Sequence, residues 1–177
     1  VSITGALSSL DEDNGLLNEA TRRALIENAR GEADRLNRLV GNLLNMTRIE
    51  SGAIKLRLES EDIQDVIGTA LEQLGSRVAN HKIQINVPTG FPLVPMDFTL
   101  VAQILVNVLE NAVKYSPVDS IIEVSAELLD ENIRIKIADR GAGIPSEDLM
   151  RIFDKFYRVQ RPENVSGTGL GLSISKG

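Results

Sequence analysis

Cysteine and tryptophan are absent from this 177-residue chain, and aromatics of any kind make up only 3% of it. Without cysteine there are no disulfides and no thiolate metal sites, which fits a reducing, cytoplasmic setting. With so few rings the core has to be aliphatic, and recognition of nucleic acid by base stacking is disfavoured. A net charge of −6 argues in the same direction against a polyanion groove, so no nucleic-acid partner is expected. No apolar run approaches the ~20 residues of a membrane span, and no signal peptide is visible. No membrane contact is therefore expected of this chain, and any membrane part of a parent protein would lie outside it. Repeats and low-complexity tracts are missing too. What remains, 42% apolar and 25% charged residues, is an ordinary globular composition with room for one or two small domains. One local departure stands out: Arg151, Lys155, Arg158 and Arg161 gather cations in a short segment of an acidic chain.

Taken in order, residues 1–10 place Val1, Ile3, Leu7 and Leu10 as on the last turns of a helix, with no cap visible before them. Asp11–Leu17 reads as a polar turn containing Asn14-Gly15. Asn18 can cap a long helix from about Glu19 to Glu50, where Ile26, Ala29, Ala33, Leu36, Val40 and Leu43 alternate spacings of three and four. One hairpin cannot bury so wide a stripe. Two hairpins in a homodimeric four-helix bundle could, as could packing against the rest of the same chain. Ser51-Gly52 ends the helix, giving domains 1–51 and 52–177. Ile54, Leu56 and Leu58 alternate with Lys55 and Arg57, which predicts a half-buried strand. Ser60 is the predicted cap of an amphipathic helix carrying Ile63, Val66, Ile67, Ala70, Leu71 and Leu74 inward. A strand over Ile83–Val87, a loop over Pro88–Pro92, a helix from the Asp97 cap to about Tyr115, and a hairpin of Ile121–Leu129 with Ile133–Ala138 follow. Mixed short elements of this kind predict an α+β chain: a helical hairpin, then an α/β sandwich, mostly antiparallel, with helices on one face of the sheet. His81, the only histidine, reads as a solvated turn residue. The end of the sequence, at Gly-Leu-Ser-Ile-Ser-Lys-Gly, falls where a helix is just beginning, so a fragment of a longer protein is expected.

Chemistry concentrates in four clusters. Within Val106–Tyr115, helical spacing stacks Asn107 and Asn111 on one face with Lys114 a turn further on, while Val108, Leu109 and Ala112 turn toward a core. Two carboxamides and a cation could hold a metal–polyphosphate, since magnesium takes one or two hard oxygens from protein and the rest from phosphate and water. The same residues also suit an ordinary solvated helix face. In Asp139-Arg140-Gly141-Ala142-Gly143-Ile144-Pro145 a strand ends in an acid followed by two glycines. A partly buried carboxylate at Asp139 could select an exocyclic amine such as that of adenine, or the segment could be a simple tight turn. Ser146 could cap a short helix, Glu147–Phe153, leading to Phe156-Tyr157-Arg158, which fits either a lid with an arginine facing phosphate or an amphipathic surface helix. Last, Gly167-Thr168-Gly169-Leu170-Gly171-Leu172 opens a helix with unobstructed backbone N–H groups suited to an anion, without matching a Walker or a dinucleotide fingerprint.

Together and in this order, Asn-x-x-x-Asn-x-x-Lys-Tyr, Asp-x-Gly-x-Gly, Phe-x-x-Phe-Tyr-Arg and Gly-Thr-Gly-Leu-Gly-Leu resemble the N box, first glycine box, F box and second glycine box of two-component sensor histidine kinases. Residues 19–52 resemble the second helix of that family's dimerisation and phosphotransfer domain, and the wording of the opening ten residues is most similar to the potassium-sensing KdpD branch. The resemblance implies a Bergerat-type sandwich binding ATP and Mg²⁺. At the matching positions Asp139 would hold the adenine amine, with Gly141 and Gly143 letting the base approach and Tyr115 beside the purine. Asn111 would ligate Mg²⁺, and Asn107 and Lys114 would support metal and phosphates. Phe156 belongs to the lid that brings Arg158 to the terminal phosphates, and the amides of Gly167, Thr168, Gly169, Leu170 and Gly171 would cradle the phosphate chain. Catalysis of phosphoryl transfer would fall to Asn107, Lys114 and Arg158 through positioning and charge neutralisation. The implied partners are a second copy through residues 1–51 and a response-regulator receiver domain, in the cytoplasmic portion of an inner-membrane sensor.

Two departures and a rival accompany the resemblance. The family's phosphoacceptor histidine motif is not in this sequence, so the chain is expected to bind ATP without phosphorylating itself. The helix and strand hairpin that follow the family's second glycine box are also missing. Gyrase-, MutL- and Hsp90-like ATPases share the nucleotide fold but place a glutamate base where Asn107 stands, and a carboxamide cannot take a proton from water. An ATP-hydrolysing relative and a non-catalytic dimerisation module remain the alternatives.

Overall fold

The computed structural model describes residues 2–13, 16–52, 55–130, 132–159 and 167–176. It divides into two compact units, Val1–Glu50 and Ser51–Gly177.

The first unit is two packed helices, α1 (Ile3–Asp11) and α2 (Glu19–Glu50). A cap precedes α1 after all: the Ser2 hydroxyl accepts from the Gly5 N–H. The Asn18 side chain accepts from Thr21 N–H and starts α2 as its sequence suggests. Between the helices, the Asp13 carboxylate accepts from Leu16 and Leu17 N–H and pairs with Arg22, and these bonds hold its pKa below the usual carboxylate range. Asn14-Gly15 lies outside the described residues. At 1.5 Å per residue α1 spans about 14 Å against about 48 Å for α2. Most of the α2 stripe accordingly lacks a neighbour within its unit: Ile26, Leu36, Val40, Leu43 and Leu44 are each about half exposed, whereas Ala6 and Met46 are buried.

The second unit is an α/β sandwich. Its chain runs β1 (Glu59–Glu61), α3 (Ile63–Leu74), a 3-10 turn (Gly75–Val78), β2 (Lys82–Asn86), β3 (Val94–Met96), α4 (Phe98–Tyr115), β4 (Ile121–Leu129), β5 (Asn132–Ala138) and α5 (Gly171–Lys176). The main sheet has the order β2-β4-β5, parallel between β2 and β4 and antiparallel between β4 and β5. β1 and β3 form a separate antiparallel pair. Strict alternation on β4 drives the layering: Ile122, Val124 and Ala126 are buried under α3 and α4. Between them, Glu123 and Glu127 face outward and pair with Arg140 and Arg134. On the helices, Ile63, Val66, Ile67, Ala70 and Leu74 of α3 meet Ala102, Leu105, Leu109 and Ala112 of α4.

Three local expectations fail here. No strand forms over residues 55–58; Leu56 and Leu58 are each 62% exposed, Ile54 is outside the described residues, and the strand lies at Glu59–Glu61 instead. Alternation without a face to bury does not make a strand. Asp62, not Ser60, caps α3, its carboxylate accepting from Gln64 N–H. The predicted helix Glu147–Phe153 is replaced by successive turns closed by bonds such as Asp148 N–H to Pro145 O and Ile152 N–H to Asp148 O.

Asp97 ties the segment before β1 to the start of α4. Its carboxylate accepts from Arg57 N–H at 3.0 Å and, as the cap of α4, from Leu100 N–H at 3.2 Å. The bond to Arg57, then that to Leu100, lowers its pKa below the usual value. A pKa lower in the folded than in the unfolded state gives stability that is complete above the unfolded value of about 4 and lost as pH falls through the folded value. Asp97→Ala should therefore lower the melting temperature at pH 7, and the difference from wild type should narrow below about pH 4, as followed by circular dichroism.

Candidate functional site

Helix α4 has two faces with different tasks. One face is core; the other carries Asn107, Asn111 and Lys114 and ends in Tyr115. Two loops that are distant in sequence close against it, and glycine allows each approach. At Gly141 the place of a Cβ lies 2.6 Å from the Tyr115 carbonyl oxygen and 2.8 Å from Asp139 Oδ1, so any side chain there would collide with backbone. At Gly167 the same place is taken by Lys114 Nζ. Gly171 lies in ordinary contact with the Asn107 side chain, 3.7 Å from its Cγ. The fourth cluster joins through Gly169, whose Cβ position is 2.6 Å from the backbone of Phe156, and whose carbonyl accepts from Phe156 N–H at 2.9 Å. The N box, both glycine boxes and the F box are thus brought together.

Individual placements refine the picture. Asn107 is 8% exposed and donates through Nδ2 to Gly171 O and to Ser175 Oγ. Asn111 lies one turn later on the same face and is half-buried. Lys114 Nζ sits 5.0 Å from the Tyr115 ring centroid, a cation–π distance. Asp139, expected to be partly buried, is exposed; its Oδ1 accepts from Gly141 N–H at 2.7 Å, which shapes the turn. Gly143 has a φ of 71° and open space around its Cβ position. Leu170 is fully buried, and Thr168 Oγ1 accepts from its N–H. Phe156 and Arg158 are both exposed. Residues 160–166, with Arg161, lie outside the described residues.

The segment from Asp148 to Arg158 has its own fastening, not legible in the motifs. Tyr157 O–H donates to Asp148 Oδ1, and the Arg151 guanidinium covers the ring at 4.2 Å. That bond, with burial, holds the Tyr157 hydroxyl above its usual pKa. Phe156 itself has a φ of 62°, a conformation a bulky side chain rarely adopts, tolerated where its N–H is held by Gly169. Gln103 and Ser175 were also missed. The only sequence signal for them is their spacing of four from Asn107 and from Gly171.

His81 departs from the expected solvated turn residue. Both ring nitrogens are shielded from solvent and have no hydrogen-bond partner, as are the Ser116 and Ser120 hydroxyls. Packing of the 3-10 turn and the 116–120 turn over the start of β2 excludes water there, shown by Asp119 N–H bonding to Asn80 O and Lys82 N–H to Ser120 O.

Gly143 and Gly169, the left-handed glycines of these motifs, separate strain from collision. Gly143→Ala should cost about 1–2 kcal/mol in urea unfolding, the left-handed penalty alone. Gly169→Ala, at a φ of 70° and against the Phe156 backbone, should cost clearly more.

Comparison with known proteins agrees with this geometry. Residues 96–177 match the family described as histidine kinase-, DNA gyrase B- and HSP90-like ATPases. Sensor protein KdpD of Clostridium acetobutylicum is 34% identical over 98% of this chain, which spans 20% of that protein's length. The chain thus spans about a fifth of that curated relative. The solved mycobacterial sensor histidine kinase MprB is 30% identical with a TM-score of 0.59, covering 68% of this chain and 76% of its own. Full-length ShkA, solved in complex with AMPPNP, is 29% identical with a TM-score of 0.72 over 91% of this chain and 34% of its own. The chain belongs to the two-component sensor histidine kinases and carries their ATP-binding domain.

Proposed function

We propose that this chain is the kinase portion of a sensor that moves the γ-phosphoryl group of ATP to a histidine, and from there to an aspartate of a response-regulator receiver domain. The observation that carries this reading is the carboxamide at Asn107. Buried and donating to Gly171 O, it stands where hydrolysing relatives of the fold need a glutamate base. Glu110 does not replace it: its carboxylate is held by Arg77 at 2.7 Å, away from the Asn107 face. A carboxamide in that position cannot take a proton from water, so transfer to a protein nitrogen is favoured over hydrolysis. His81, whose ring nitrogens are shielded, is not that nitrogen.

In this reading Asp139 accepts from the adenine amine, with Gly141 and Gly143 at the base edge and Tyr115 against its face. Asn111 offers one hard oxygen to Mg²⁺. Among the described residues no group of three or more His, Asp or Glu could hold a metal alone, which suits an ion that takes most of its ligands from phosphate and water. When bound, that ion supplies charge neutralisation at the phosphates. Lys114 and Arg158 add cationic charge, and the 167–171 backbone amides line the phosphate chain. The nucleotide found in ShkA supports the same ligand class. Among the described residues no helix is long and apolar enough to cross a membrane. A membrane anchor would belong to a larger, KdpD-like parent, with this portion on the cytoplasmic side.

The exposed stripe of α2 supports a homodimer through residues 1–51. It is the apolar surface a second hairpin would cover in a four-helix bundle.

Two measurements test the reading. Asp139→Asn keeps an acceptor for Gly141 N–H but should weaken Mg·ATP binding by about tenfold or more in calorimetry, the loss of one charge-assisted bond. An unchanged affinity would remove the adenine assignment. Val40→Glu with Leu43→Glu should shift the chain from dimer to monomer in sedimentation equilibrium while leaving nucleotide affinity unaltered.

A further inference from the structure

Asn107 is the one polar residue among the buried described residues, and its amide is held on both sides. Gly171 O can only accept, so the Asn107 NH₂ must be the group turned toward α5, at 3.3 Å. Ser175 Oγ accepts from the same NH₂ at 3.3 Å while its proton goes to Gly171 O at 2.9 Å. The orientation that results leaves the Asn107 oxygen facing Gln103, whose Nε2 donates to it at 3.4 Å. α5 is seated on α4 by Leu170 and Ile174, both buried, and Gly171 brings its backbone against the Asn107 side chain. The loop before α5 is pinned at its other end, where Lys114 Nζ rests against Gly167.

We infer that Gln103 and Ser175 are positioning residues of the nucleotide site, fixing the Asn107 amide so that it clamps the glycine-rich loop onto α4 instead of offering its oxygen to the metal. This replaces the metal and phosphate support that resemblance alone implies for Asn107, and it rests on the proposed reading of residues 167–171 as the phosphate loop. A buried amide keeps partners on all its polar atoms, so taking one away frees the loop end and not merely a side chain. Ser175 therefore acts on every nucleotide that uses the loop, with or without a metal. Asn111, one turn along and without such a clamp among the contacts described, remains the residue whose effect depends on the metal.

The test is binding of a fluorescent ADP analogue without metal and of Mg·ATP, on the full chain, with the melting temperature recorded for each variant. Ser175→Ala should weaken both affinities by the same factor, about fivefold, the loss of one neutral hydrogen bond. Ser175→Thr should restore them, and Gln103→Leu should act in the same direction should Ser175→Ala fail to fold. Asn111→Ala should weaken only the metal-dependent binding. Affinities unchanged in Ser175→Ala and Gln103→Leu, or an Asn107→Ala variant that loses affinity only when Mg²⁺ is present, would overturn the inference. Wild-type chain that binds neither nucleotide would instead overturn the functional reading beneath it.

Discussion

Backbone can pass close to backbone or to a cation only where no Cβ intervenes, and the second unit depends on that constraint at Gly141, Gly167 and Gly169. Gly141 and Gly167 let two loops close against the end of α4, and Gly169, in the same loop as Gly167, lets that loop meet the Phe156 segment. The Tyr115 carbonyl, the Lys114 ammonium and the Phe156 backbone occupy the space that a side chain would need. The polar face of α4 thereby becomes the floor of a site, and four separate motifs become neighbours. A side chain at Gly141 or Gly169 would force the loops outward by more than rotamer changes could absorb, because the obstacle there is backbone, whereas at Gly167 the flexible Lys114 side chain would have to swing aside.

The same helix must also hold the fold together. Leu105, Leu109 and Ala112 are sealed against α3 and β4, so α4 is not free to rotate and its outer face is presented in one setting. Asp97 at one end and the Arg77–Glu110 pair along its side restrain it further. The polar side chains then need only local partners. Asn107 finds them in α5, and that choice separates it from Asn111 although the two lie one turn apart. In the first unit the opposite holds: among the described residues α2 carries more apolar surface than α1 covers.

Long periodic elements were legible from the residues. α2, α4 and the β4–β5 hairpin lie where spacing and the Asn18 and Asp97 caps put them, because periodicity and capping act within a few residues. Short elements were not. β1 and β3 have three residues each and exist because they pair with one another across some 35 residues of chain, which no local pattern encodes. The 147–153 segment carries a helix-like pattern but runs as successive turns, with Tyr157 bonded back to Asp148. His81 looked like a surface residue for the same reason: nothing in its neighbourhood of sequence reveals that the 116–120 turn covers it.

By itself, the sequence determined the long periodic elements, the family and the order of the four motifs, since motif spacing and amphipathic period are local properties of the chain. Only the tertiary structure decided what each polar group does with its hydrogen bonds. Asn107 turns its amide to Gly171 and Asp139 opens to solvent while shaping its own turn. An amide's direction and a carboxylate's exposure are set by which distant backbone atoms arrive beside them, and that depends on how the whole chain packs.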